Sequence, residues 1–284
     1  MPEGDTLRRT ADVLGAVLEH RVVVAAYGRP GAAQLERVTG DEITAVRVVG
    51  KHLLIDFSGG LCLHTHLGMN GAWHRYRTDE PWRLDRDRAV AVIEVPAGVA
   101  VCFDAPTVEL IEQRALALHP VLRQLGPDLL AQAPQLDDAV ERLRSPSLAG
   151  TAIAVALLDQ RAAAGLGNVY RSEVLFIKRQ DPFEMCGQMD GETLRSLLAT
   201  GARLLRLNVE GGARSTMPDT SGAHRNAPRR SRRDARLWVY RRTGRPCRRC
   251  GSLVRSTSMG ALPRRLYWCP TCQAPRAATS GSRG

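Results

Sequence analysis

The chain is 284 residues long, 44% hydrophobic and 24% charged, with a formal net charge of +11. That length accommodates two domains with separate cores, and the hydrophobic content is that of a soluble globular protein. No apolar run reaches the ~20 residues of a membrane span. Glu3 and Asp5 precede the first arginine with no apolar core behind them, so no secretory leader is read and the expected location is cytoplasmic.

The first residues, Met1-Pro2-Glu3-Gly4-Asp5, are already informative. Removal of Met1 leaves Pro2 with a free secondary amine beside the Glu3 carboxylate. An α-amino group titrates near pH ~8 and keeps a useful neutral fraction at cellular pH. Such an amine can attack an electrophilic carbon to form an iminium, with the neighbouring carboxyl group moving protons. The plain alternative is an ordinary flexible terminus.

Thr6 to Leu18 has apolar spacing for an amphipathic helix. Strand-like runs follow at 21–27, 42–49, 52–57, 60–66, 72–77, 89–95 and 99–104, with hairpin punctuation at Ser58-Gly59-Gly60 and Pro96-Ala97-Gly98. So many short strands predict an antiparallel sandwich or barrel. Two groups within them invite chemistry. The chain has only two lysines, Lys51 and Lys178, among its 40 basic residues. An amine can exchange protons where a guanidinium cannot. Lys51 follows Gly50 at a strand start, where it is able to contact phosphate or tune a neighbour. Met69, in His66-Leu67-Gly68-Met69-Asn70-Gly71, sits in a glycine-flanked loop; it serves either as a wedge between bases or as core packing.

Beyond Pro120 the pattern turns helical. Residues 121–134, with Pro127 and Pro134, read as a linker, and 136–143, 148–158, 168–176 and 192–207 carry helical spacing. The loop Gln160 to Gly167 holds Gly165 and Gly167, which permit close backbone approach, and a following helix N-terminus favours an anion. Asn168 sits where its amide either caps that helix or donates to a phosphate. From Gly211 to Asp234 the chain is rich in Gly, Ser, Arg and Pro. Between Arg225 and Cys250 lie eleven arginines and one acid, Asp234, a concentration of charge suited to a nucleic-acid backbone.

Cys247-x2-Cys250 and Cys269-x2-Cys272 have the paired-knuckle spacing of a four-thiolate zinc site, with a dithiol redox pair as the alternative. Four thiolates would fill the tetrahedron, so the expected role is structural. Cys62, Cys102 and Cys186 read as buried small residues. Between the cysteine pairs, Arg264 and Arg265 lie near a hairpin tip where either is able to clamp a phosphate.

Taken together, PEGDT, GKHLL, HLGMNG, LLDQRAAAGLGNVYRSEVLF and the ribbon CRRCGSLVRSTSMGALPRRLYWCPTCQ resemble the formamidopyrimidine-DNA glycosylase and endonuclease VIII family over nearly the whole chain. The resemblance implies an α+β protein. An N-terminal helix and antiparallel β-sandwich (1–120) would be followed by a linker (121–134) and a helix–two-turn–helix domain (135–210). A basic loop (211–235), a zinc ribbon (236–273) and a disordered tail (274–284) complete it. It implies a bifunctional glycosylase and lyase of base excision repair, a monomer acting on damaged double-stranded DNA, with no membrane partner and one structural Zn2+. Pro2 would attack C1′, Glu3 would serve as acid and base, and Lys51 would act in phosphate binding and elimination. Asn168 and Arg264 would grip phosphates, Arg264 being preferred to Arg265 because it lies five residues before Cys269. Arg264 is therefore expected in both the catalytic and the DNA-binding set. His66 and Met69 match the wedge loop, and Cys247, Cys250, Cys269 and Cys272 would hold the zinc.

The start PEG, and the absence of an Arg-Phe pair in 104–110, are similar to the endonuclease VIII branch and imply oxidised pyrimidines as substrates. Asp5 suggests an actinobacterial-type subgroup. The competing reading is a non-catalytic zinc-ribbon protein that recognises damaged or branched DNA. A third, an RNA-binding factor with a ribbon, explains the charge and cysteines but not PEG, Lys51 and GLGN together.

Overall fold

The computed structural model describes residues 2–29, 33–210, 213–218 and 236–275. The expected basic loop 211–235 lies outside the described residues except for 213–218, and the tail 274–284 except for its first two residues. The chain divides into two compact units between Asp128 and Leu129, within the segment read as a linker.

In the first unit, α1 (Gly4–Leu18) places Leu7, Ala11, Leu14 and Leu18 on one buried face at helical spacing. Two four-stranded antiparallel sheets follow. One has the order β1 (Ala25–Gly28), β6 (Ala89–Val95), β7 (Gly98–Phe103), β5 (Ala72–Tyr76). The other runs β2 (Ile43–Val49), β3 (His52–Phe57), β4 (Leu61–His66), β8 (Thr107–Glu112). Leu53, Ile55 and Leu63 from one sheet share a core with Ile93, Ala100 and Cys102 from the other and with the α1 face. Burial of each large aliphatic side chain contributes roughly 1.5–3 kcal/mol, so α1 is held by packing as well as by its own hydrogen bonds.

The second unit carries α2 (Leu136–Leu143), α3 (Pro146–Ala149), α4 (Ile153–Ala156), α5 (Asn168–Ile177), α6 (Gly191–Leu207) and the hairpin β9 (Arg255–Met259) with β10 (Arg264–Trp268). The helix expected over 148–158 is instead two short helices. Between them Thr151 accepts from Cys186 N–H, and Ala152 bridges Met185. Asp190 caps α6 through its side chain, accepting from Thr193 N–H at 2.6 Å. Leu266 of β10 is buried with the helices, joining the hairpin to the same core. Among the described residues no helix is long and apolar enough to cross a membrane.

Candidate active site

The amino end of α1 sets the place of Pro2 and Glu3. Glu3 is the residue preceding the helix, and its backbone carbonyl accepts from Thr6 N–H at 2.9 Å and Leu7 N–H at 3.1 Å. Its side chain is fully buried, whereas Pro2 keeps partial exposure. A carboxylate at that end is favoured by the helix dipole. Asp5, also buried, pairs with Arg9 at 3.9 Å one turn on. Pro2 and Glu3 are thus adjacent on a rigid element, one reachable and the other enclosed.

Gly50 and Lys51 form the two-residue turn between β2 and β3, since Val49 pairs with His52. Gly50 has a positive φ of 59°, and its N–H donates to Asp128 at 2.9 Å. His66 ends β4 opposite His52, and their rings lie 4.8 Å apart. Burial, then the Lys51 charge, then His64 lower the pKa of His66. The loop beyond His66 leads to Met69, which is 56% exposed and does not pack in the core. Glycine is required on both sides: a Cβ on Gly68 (φ 58°) would stand 2.9 Å from the Pro106 ring, and one on Gly71 2.5 Å from the Leu67 carbonyl oxygen. The loop that displays Met69 has one backbone course.

In the second unit Asn168 opens α5, and Gly167 occupies the capping position without a side-chain cap. The Asn168 amide instead donates to the Arg265 carbonyl at 2.9 Å. Its oxygen accepts from Arg171, which also donates to the Arg264 carbonyl at 3.2 Å and the Ala154 carbonyl at 2.9 Å. Arg171 is fully buried. Asn168 and Arg264, 96 positions apart by number (264 − 168), are therefore brought together through the backbone of β10. Arg264 is half-buried, on the same side of β10 as the buried Leu266, whereas Arg265 is exposed. Gln160 closes the preceding loop, donating to the carbonyls of Leu158 and Leu166 and accepting from Gly165 N–H at 3.0 Å.

Cys247, Cys250, Cys269 and Cys272 bring their sulfurs within 4.8 Å of one another. The Cys247–Cys272 and Cys250–Cys269 separations are 3.9 and 3.5 Å. A tetrahedron with Zn–S of ~2.3 Å requires about 3.8 Å between sulfurs, so the donor set fits a zinc ion in number, chemistry and spacing. Burial and the neighbouring thiols push Cys272 up, while hydrogen bonds from Ser252 bring Cys250 down to about 6. A bound dication would favour the thiolate at every position.

Known proteins match this architecture from end to end. The model of the formamidopyrimidine-DNA glycosylase N-terminal domain matches residues 1–108, and that of the formamidopyrimidine-DNA glycosylase H2TH domain matches 125–219. "Probable endonuclease 8 2" of Streptomyces coelicolor is 34% identical over 290 aligned residues, covering 100% of this chain and 98% of its own.

The chain belongs to the formamidopyrimidine-DNA glycosylase family.

Within that family it is endonuclease VIII-like. "DNA-(apurinic or apyrimidinic site) lyase Nei2" of Mycolicibacterium smegmatis is 34% identical, covering 96% of this chain and 99% of its own. "Endonuclease 8" of Escherichia coli K12 is 31% identical, covering 96% and 100%. The Lactococcus lactis Fpg mutant bound to Fapy-dG DNA superposes with a TM-score of 0.78, at 23% identity, over 96% of this chain and 100% of its own. At that identity the likeness establishes the α+β fold.

Two buried residues in the family's helix–two-turn–helix segment were not anticipated. Arg171 is the first. Glu173, also fully buried, accepts from Thr216 Oγ1 and from the N–H groups of Trp238, Val239 and Tyr240, the last three at 2.8–2.9 Å. The sequence signal was a pair of charges inside an otherwise apolar helix, NVYRSEVLF, which calls for internal partners.

Proposed function

We propose that this chain is a bifunctional DNA glycosylase and apurinic/apyrimidinic lyase of base excision repair, and that the Pro2 amine carries both steps. The activity rests on family membership and on end-to-end relatives named endonuclease 8 and Nei2 lyase. The observation that carries the residue assignment is the reachable Pro2 beside the enclosed Glu3 at the head of α1.

After loss of Met1, the Pro2 nitrogen attacks C1′ of an extruded nucleotide. The bond from C1′ to the base breaks, and Glu3 supplies a proton as the sugar ring opens. The resulting iminium acidifies the C2′ protons. Loss of one expels the 3′ phosphate, and a further proton loss from C4′ expels the 5′ phosphate. Water never attacks phosphorus. Extruding the base costs a few kcal/mol, offset by Met69 and His66 on the wedge loop and by phosphate contacts from Lys51, Asn168 and Arg264. Asn168 acts as a grip whose orientation Arg171 fixes.

The cysteine cluster holds one structural Zn2+ through Cys247, Cys250, Cys269 and Cys272. Its contribution is to fix the ribbon, since four thiolates leave no coordination position open. The protein works as a monomer on damaged duplex DNA in the bacterial cytoplasm, at the nucleoid. The preferred lesions are oxidised pyrimidines. Support comes from PEG and from residues 104–110, where Asp104 is tied to Arg88 and 107–112 are drawn into β8.

Borohydride reduction with a duplex carrying thymine glycol or an abasic site tests this reading. An adduct should form, and mass spectrometry should place the sugar on Pro2. Pro2→Gly should bind the duplex but give at least 100-fold less adduct. An adduct mapped to another side chain would refute the assignment.

A further inference from the structure

A chain of imidazoles runs through the sheet that carries Lys51 and His66, and its hydrogen bonds have one consistent direction. His119 Nδ1 accepts from the backbone N–H groups of Val121 and Leu122 at 3.3 and 3.2 Å. Its proton is therefore on Nε2, which donates to Glu109 at 3.1 Å. The same Glu109 oxygen lies 2.9 Å from His64 Nδ1, so that nitrogen also carries its proton. His64 Nε2 is then bare and accepts from His52 Nδ1–H at 2.8 Å. His52 Nε2 is left as a lone pair, for which no described residue provides a hydrogen bond.

Each member sits where the fold leaves little choice. His64 and His52 are buried on adjacent strands β4 and β3. Glu109 faces His64 across the β4–β8 ladder and keeps 46% side-chain exposure. A metal ion between His64, Glu109 and His119 is disfavoured by this wiring, because the backbone donors at His119 Nδ1 commit Nε2 to a proton. The groups facing the chain are Lys51 and His66 at its inner end and Glu109 at its outer end. Burial, followed by the neighbouring imidazoles and then Lys51, lowers His52 to about 3. Burial likewise lowers His64, against the opposing pull of Glu109. Burial acts to raise Glu109, but its two imidazole donors hold it below the usual carboxylate range.

We propose that His119, Glu109, His64 and His52 form a positioning relay that presents the bare Nε2 of His52 as an acceptor beside His66 and the Lys51 amine. The relay rests on the reading of Lys51 as a group of the DNA site. Its polarity reverses with one proton. Uptake at His52 Nε2 and passage of the Nδ1 proton to His64 Nε2 leaves a His64 imidazolium against Glu109. His52 then offers a donor where it had offered an acceptor, and the added charge opposes the Lys51 ammonium. Acid therefore turns the acceptor presented to Lys51 and His66 into a donor.

Two measurements on the full-length protein test the relay. Long-range 1H–15N spectra at neutral pH should show protons on Nδ1 of His52 and His64 and on Nε2 of His119. A His52 protonated on Nε2 would overturn the proposal. The second measurement is the pH titration of the ring 15N shifts of His52 and His64, for the unmodified protein and Glu109→Gln. Removing the carboxylate makes the relay harder to protonate, so the transition should move to lower pH by roughly one unit. An unmoved transition in a variant with unchanged melting temperature would also overturn it. Where Glu109→Gln does not fold, the tautomer spectrum alone decides the relay; borohydride trapping at neutral pH decides the Pro2 reading separately.

Discussion

Glu3 uses two different groups for two tasks. Its carbonyl begins the α1 hydrogen-bond ladder, and its carboxylate lies buried beside Pro2. Glu3→Gln keeps the first and removes the second. Base excision should fall by about 10²–10⁴-fold with the melting temperature unchanged, read by release of thymine glycol from a duplex. Adduct formation on a preformed abasic site should fall less, because no base has to leave. Arg171 is the structural counterpart: one buried guanidinium holds the Asn168 oxygen and two backbone carbonyls. Arg171→Met leaves those neutral acceptors without their donor and should cost on the order of 1–3 kcal/mol in urea unfolding. Pro2, Glu3 and Lys51 could be singled out in sequence because they sit in short contiguous motifs. Arg171, Glu173 and the imidazole chain were not. Their partners come from strands and loops tens of positions away, which no local spacing encodes.

The same contrast holds for whole elements. The expected α2 and β3 have the bounds the spacing indicated: α2 turns Ala139 and Leu143 inward, and β3 is buried at every position but Asp56. β8 went unread because it is an edge strand: none of Thr107–Glu112 is fully buried, and its alternation is weak. The helix expected over 148–158 was interrupted by pairing with residues 185 and 186, a tertiary contact that overrides local propensity. The loop from Gly68 to Gly71 makes the sharpest prediction at this scale. Gly71→Ala would drive a Cβ to 2.5 Å from the Leu67 carbonyl, forcing the backbone that displays Met69 to shift. Duplex affinity should then fall at least tenfold in a gel-shift titration, while the zinc content stays the same.

For the molecule as a whole, charge and metal are the measurable quantities. Eleven arginines lie between Arg225 and Cys250, so binding to undamaged duplex should weaken steeply with salt. Each phosphate neutralised contributes a slope of about −0.9 in log K against log salt. Replacing Arg229, Arg230, Arg232 and Arg233 with Ser should make that slope shallower in fluorescence titrations, leaving adduct formation at low salt intact. Elemental analysis should find one zinc per chain. Chelation should release the hairpin from its cysteine end and weaken duplex binding at least tenfold, with Leu266 still anchoring β10 among the helices.

Asp128 closes the first unit and at the same time pins the backbone of the lysine-bearing turn through Gly50 N–H. The last residue of the first unit is thus a fastening for the turn on which the Lys51 amine stands. Asp128→Ala leaves the Gly50 N–H without that acceptor and loosens the turn, so the proposed part of Lys51 in elimination predicts less strand cleavage at an abasic site, read on a denaturing gel, although Asp128 stands outside the proposed catalytic set.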